Sequence, residues 1–317
     1  NQIIYNYDGF GYGVFPIEIG HINDYKNIKN DVGRGYAYIN LYENVLNGNI
    51  PILDAYHVFL ESIVVERNEL IMNYLSGRIK NLFWTFLTKN ERIEVLEKCE
   101  KTVLDLLEAN ILPNKKRILF KLYQSIAFSS QGKENLYKIW DRSLKFQSLK
   151  LNETDYTSLA MRLAIFKHEN SEDILNTQAI NITNKDRLSR FMWLLPSLSQ
   201  DISIRDAFMD SLKKVKNREK ESWVVMALNN IHHPLRHESS TKHIKLCLEL
   251  LEEIQLTGDI FFPKNWLLNS IGNYSSKEAL VILKDFLNDN PEFSPILKKK
   301  LLQSADGLFR VQKLHKD

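Results

Sequence analysis

The sequence predicts an all-α fold, an irregular HEAT-like solenoid of antiparallel helix pairs, preceded by a short N-terminal β-hairpin. Three observations predict it. From about residue 22 onward, apolar residues recur at helical spacing. Helix start and stop signals punctuate that stretch at short intervals. Only the first twenty residues read with the period of a strand.

Residues 1–20 carry NQIIY and YGVFPIEI as two strands, with Asp8-Gly9 between them as the hairpin signal, because glycine tolerates positive φ. A lone hairpin is marginal in water and needs a sheet or a helical surface to lie on. The chain thus divides into a hairpin segment over 1–20 and a helical domain over 21–317. Thr88 and Glu91 form a capping box ahead of Ile93, Leu96, Val103 and Leu107. Ser275 and Glu278 repeat it before Leu280, Leu283 and Leu287, and Asn152/Asp155 and Thr183/Asp186 are weaker versions. Stops are expected at Asn47-Gly48, Ser76-Gly77, 110–113, Gly132, Pro196, Pro234, Thr257-Gly258 and Asn290-Pro291. At roughly 40 residues per helix pair, about 295 residues hold around seven pairs. Such stacks curve and offer a concave surface to a partner.

The bulk numbers narrow the function. Of 317 residues, 44% are hydrophobic and 26% charged, enough apolar material for a sizeable core. The 42 basic and 39 acidic residues nearly cancel, which argues against a dedicated nucleic-acid partner. No apolar run is long enough for a membrane span. The two cysteines, Cys99 and Cys247, lie in apolar helical stretches and read as buried free thiols. The first residue is Asn1 rather than Met, which reads as a processed protein or an excised fragment. The compartment stays open between cytoplasm and periplasm.

Candidate chemistry is sparse. Gly9, Gly11 and Gly13 stand before a strand, not between a strand and a helix, so they do not form a dinucleotide loop. HHPLRHESSTKH places four histidines close together, but His237-Glu238 is followed by a histidine only at 243, not at the i+4 position that zinc proteases use. No metal site is read there. The segment reads as an ordered loop in which His233 and Arg236 pair with backbone or carboxylates. The basic runs 115–117, 213–220 and 298–300 read as solvated surface, and the tryptophans as core anchors. No catalytic residue is found in the chain.

Three stretches together resemble one family. NYDGFGYGVFPIE resembles the hairpin that ends the β-sandwich domain of zinc aminopeptidases of the aminopeptidase N family, which implies that residues 1–20 are the remnant of such a domain. NDVGRGYAYINLYENVLNGNI, with Arg34 near the helix start and Asn47-Gly48 at the turn, resembles the helical hairpin that follows it. ALNNIHHPLRHESSTKHIKLCLELLEEIQLTGDIFFPKNWL resembles a late segment of the bacterial branch, and ADGLFR its closing helix. The resemblance implies a C-terminal helical domain that walls a peptide cavity. Its expected partners are upstream catalytic and β-sandwich domains of the same polypeptide and a peptide substrate. The family's HExxH helix, second glutamate, GxMEN loop and catalytic tyrosine are absent from this chain. No cofactor is expected in it, zinc belonging to the parent catalytic domain, and the fragment alone is expected to be inactive. Arg236, Lys264 and His233, in the most family-like loops, are the cavity candidates the resemblance implies. The alternative is a free-standing helical-repeat scaffold that binds a peptide or protein.

Overall fold

The computed structural model describes residues 3–315, and all regular structure among them is helical. The chain divides into two compact units, Asn1–Lys150 and Leu151–Asp317.

The first unit holds a 3₁₀ segment, Ile19–Asn27, and six α-helices: α1 (Asp31–Leu46), α2 (Ile52–Val65), α3 (Glu69–Asn81), α4 (Lys89–Glu108), α5 (Pro113–Ile126) and α6 (Ser130–Trp140). Each start has a local cause. Asn30 accepts from Gly33 N, Asn68 from Leu70 N and Ile71 N, and Thr88 with Glu91 closes the expected capping box. Pro113 occupies the first turn of α5, where its missing N–H costs nothing. α2 packs on α3 and α4, and α5 on α3 and α4. Tyr38, Tyr56, Phe59, Phe83, Phe120 and Tyr123 are fully buried among them.

The second unit holds α7 (Glu153–Ile165), α8 (Ser171–Asn181), α9 (Lys185–Leu198), α10 (Ile202–Ser211), α11 (Glu221–Ile231), α12 (His237–Ser240), α13 (His243–Glu249), α14 (Leu251–Thr257), α15 (Phe262–Ser270), α16 (Lys277–Asp289), α17 (Pro295–Ser304) and α18 (Asp306–Leu314). Helices α7, α9, α11, α15 and α17 touch in succession, while α8, α10, α13 and α16 pack against that row or one another. Contact between alternate helices is what stacked helix pairs produce, so the unit is consistent with a solenoid-like all-α fold. Its core runs from Met209 through Leu228, Trp266 and Tyr274 to Leu308.

Several expectations are corrected. The N-terminal β-hairpin is not formed: residues 3–18 contain no strand, and the first two residues of the expected hairpin lie outside the described residues. The cause is local. The Asn6 side chain accepts from Gly11 N at 2.6 Å and donates to Gly11 O at 2.9 Å, using both ladder groups of that residue. Further on, Phe15 N donates to Asn40 Oδ1 at 2.9 Å, and Phe15 O accepts from Asn40 Nδ2 at 3.1 Å and Asn44 Nδ2 at 2.9 Å. A carboxamide carries the same donor and acceptor pair as a peptide group. Two asparagines of α1 therefore stand where a neighbouring strand would. Tyr7 closes the arrangement, its ring filling the space over Gly33 that a Cβ would need.

Ser76-Gly77 does not stop α3, and Gly132 lies inside the first turn of α6. Packing of α3 on α2 and α5 overrides a glycine cost of about 1 kcal/mol. Two starts shift by one residue, because Ser276 and Asn184 are the caps that accept from Ala279 N and Arg187 N. Two members of the basic runs, Lys116 and Arg218, are buried rather than solvated. Cys99 and Cys247 are free and buried, as expected.

Candidate functional site

The HHPLRH segment sits where α11 ends. Pro234 cannot continue a helix, so the chain turns through a short 3₁₀ segment, Pro234–Arg236, and α12 restarts at His237. His233 caps that turn, accepting from Leu235 N at 3.3 Å, and its ring meets Phe166 edge-on at 5.9 Å. Arg236 is 3% exposed. It donates to Ser197 O at 2.7 Å, Leu198 O at 2.8 Å and Asn230 O at 3.4 Å. Arg205 donates to the next two carbonyls, Ser199 O at 2.5 Å and Gln200 O at 3.0 Å. The two guanidiniums thus cover consecutive carbonyls at the C-terminal end of α9. Those groups lack helical donors and carry the negative end of the helix dipole. Burial lowers the Arg236 pKa to about 9, helped by Arg205 and Arg162.

The remaining histidines form a second, tighter knot. His232 is wholly buried, with Nδ1 2.8 Å from Tyr274 OH, which in turn lies 2.9 Å from Ser240 Oγ. His237 stacks on the Tyr274 ring at 3.9 Å. His243 Nε2 is 2.8 Å from Asp206 Oδ1. His232 Nε2 also lies 3.9 Å from Cys247 Sγ, the one pairing here with the look of a nucleophile and its base. Its electrostatics are wrong for that role. Burial pushes the Cys247 thiol up to about 12 and the His232 imidazole well below its ordinary value. A cysteine nucleophile needs a thiolate beside a cationic or proton-accepting group, in partial contact with solvent. Here both groups are held neutral and covered. Among the described residues, no group of three or more His, Cys, Asp or Glu is placed to hold a metal ion.

Of the three sequence candidates, the structure brings His233 and Arg236 together and leaves Lys264 exposed on α15, with no hydrogen bond or ion pair to either. Sequence reasoning missed Arg205 and Tyr274, which complete the two knots. Arg205 donates to the carbonyl six residues before it, at Ser199, as Arg236 does at Asn230, a relation that no local sequence pattern marks.

Two surfaces remain. A groove of about 830 Å³ lies over Leu248, Phe286 and Phe293. It is rimmed by five carboxylates, Glu249 and Asp285 among them, against a single lysine, Lys245, itself 3.9 Å from Glu249. At the other end of the sequence, Phe10 and Tyr12 are 93% and 107% exposed, with Ile3 and Ile19 exposed beside them in sequence. No helix among the described residues is long and apolar enough to cross a membrane. No protein family and no curated protein matches the chain.

Proposed function

We propose that this chain is the helical C-terminal domain of a zinc aminopeptidase of the aminopeptidase N family, walling the peptide cavity of a catalytic domain carried upstream. The observation that carries the reading is the N-terminal segment. Its backbone is fixed to α1 by Asn40 and Asn44, while Phe10 and Tyr12 stand out in solvent. Exposed apolar surface held in a fixed place is what a domain or partner covers. The motif resemblance of NYDGFGYGVFPIE and of HHPLR followed by TGDIFFPKNW supplies the identity of that domain. In this reading Arg236 and His233 keep the cavity wall in shape from behind, and the exposed Lys264 is the candidate for direct substrate contact.

The cheapest test is the coding sequence before residue 1, where an HExxH segment is expected. An initiation codon directly upstream overturns the reading. On aminoacyl-anilide substrates the chain alone is expected to give no hydrolysis with or without added zinc, and zinc-dependent turnover contradicts the assignment. A free-standing scaffold is favoured by one observation, the acidic groove over Phe286 and Phe293, whose charge suits a basic peptide. In that case a lysine-rich peptide binds the chain, and Asp285→Lys abolishes the binding.

A further inference from the structure

A second, smaller pocket in the Leu151–Asp317 unit has a different chemistry. It measures about 140 Å³ and lies between α7, α9 and α11. Its apolar lining is Met161, Phe191, Leu194 and Met226, and its polar lining includes Thr154, Ser158 and Arg190. No Asp or Glu lines it. Arg187 also reaches the pocket but is engaged, 3.3 Å from Glu153 Oε1. Glu153 in turn accepts from Thr183 N and Thr183 Oγ1 through its other oxygen. Arg190 is different: it is half-buried and has no hydrogen bond or ion pair with any described residue. Its guanidinium therefore offers five donors in a fixed fork at the pocket, with no counter-ion to displace.

We propose that this pocket binds a small aliphatic carboxylate, with the carboxylate on Arg190 and the Ser158 hydroxyl and the hydrocarbon against Met161, Leu194 and Met226. The planar guanidinium matches a carboxylate in two parallel hydrogen bonds. At about 30 Å³ per water the volume corresponds to roughly five waters, hence a ligand of about six to eight heavy atoms. The apolar lining distinguishes this site from a general anion site, since it would leave phosphate without partners on that side. The site stands on this unit's own residues, whichever reading of the whole chain holds.

The test is a titration of the full chain with 4-methylpentanoate, followed by the methionine methyl resonances in ¹H–¹³C NMR. The chain has five methionines, so the signals are few. Saturable shifts of the Met161 and Met226 methyls are expected, with Kd on the order of 1 mM. Arg190→Gln is expected to weaken the binding about tenfold or more, the loss of a charge-assisted bidentate contact. That variant loses no existing partner, and an unshifted methyl of Met209, fully buried in the core, confirms that it is folded. 4-Methylpentanamide, the same shape without the charge, is expected not to bind. The proposal is overturned by any of three results: no shift at Met161 and Met226, equal binding of the amide, or equal displacement by acetate or inorganic phosphate.

Discussion

At the scale of residues, buried polar groups are where this chain is most sensitive. Glu66 accepts from Arg34 Nε and Nη2, each at 2.8 Å, and from the backbone of Arg67 and Asn68. Its side chain is 1% exposed and that of Arg34 9%. Burial alone would raise the Glu66 pKa, but the Arg34 and backbone hydrogen bonds outweigh it and hold the carboxylate low. Glu66→Ala leaves the Arg34 guanidinium confined with only Asp31 and two carbonyls. The expected loss is roughly 3–5 kcal/mol in urea unfolding. His232 sets a pH limit. Burial depresses its folded pKa, so the unfolded chain takes up the proton first. Stability is whole above the ordinary histidine value of about 6.5 and falls as pH drops from there toward the lower folded value, by up to about 1.4 kcal/mol per pH unit. His243, also depressed, adds to the slope. Unfolding midpoints from pH 7 to pH 5 are expected to fall in the native chain and to fall less in His232→Gln. An equal slope in the variant excludes His232 as the cause.

At the scale of elements, two glycines that look alike in sequence differ in the fold. A Cβ on Gly77 meets nothing within 4 Å, whereas one on Gly132 falls 2.6 Å from the Glu100 carboxylate that accepts from Ser129 N at 2.9 Å. Gly77→Ala is expected to stabilise α3 by about 0.5–1 kcal/mol, and Gly132→Ala to lower the melting temperature by displacing Glu100. Thermal melts of the two variants should move in opposite directions. The same contrast explains what was legible beforehand. Caps that act within four residues, such as Thr88 with Glu91, could be read directly because both partners lie in one stretch. A glycine's role depends on a neighbour from another helix, which no local pattern contains. A recurring joint was also hidden. Arg34, Arg205, Arg218 and Arg236 each donate to the carbonyl six residues upstream, at Ile28, Ser199, Leu212 and Asn230. The repeat lies in geometry while the residues around it vary, so no sequence repeat reveals it.

At the scale of the whole molecule, the all-α class followed from periodicity, because burying one face of each helix forces that period on the sequence. The division near residue 150 did not. The stretch between α6 and α7 has no proline or glycine run; its breaks are Arg142 and Ser148 at positive φ, a conformation any sequence reader assigns first to glycine. The Leu151–Asp317 unit has a core of its own, from Met209 to Leu308. A chain of residues 151–317 is therefore expected to fold with a cooperative thermal transition and helical circular dichroism, and a featureless melt refutes it. The candidate pocket was not legible either, since Arg190 gains its meaning from having no counter-ion, a fact about its neighbours in space.

The grip of Asn40 and Asn44 on Phe15 also fixes where this protein can be cut. Periodicity puts the start of the helical body near residue 21, and a shortened chain designed on that basis begins there. Such a chain takes from Asn40 both of its bonds to Phe15 and from Asn44 one of its own, on side chains that are 6% and 2% exposed. The body's true first residue, counted by what its buried amides require, is upstream of Phe15, inside a segment with no regular structure.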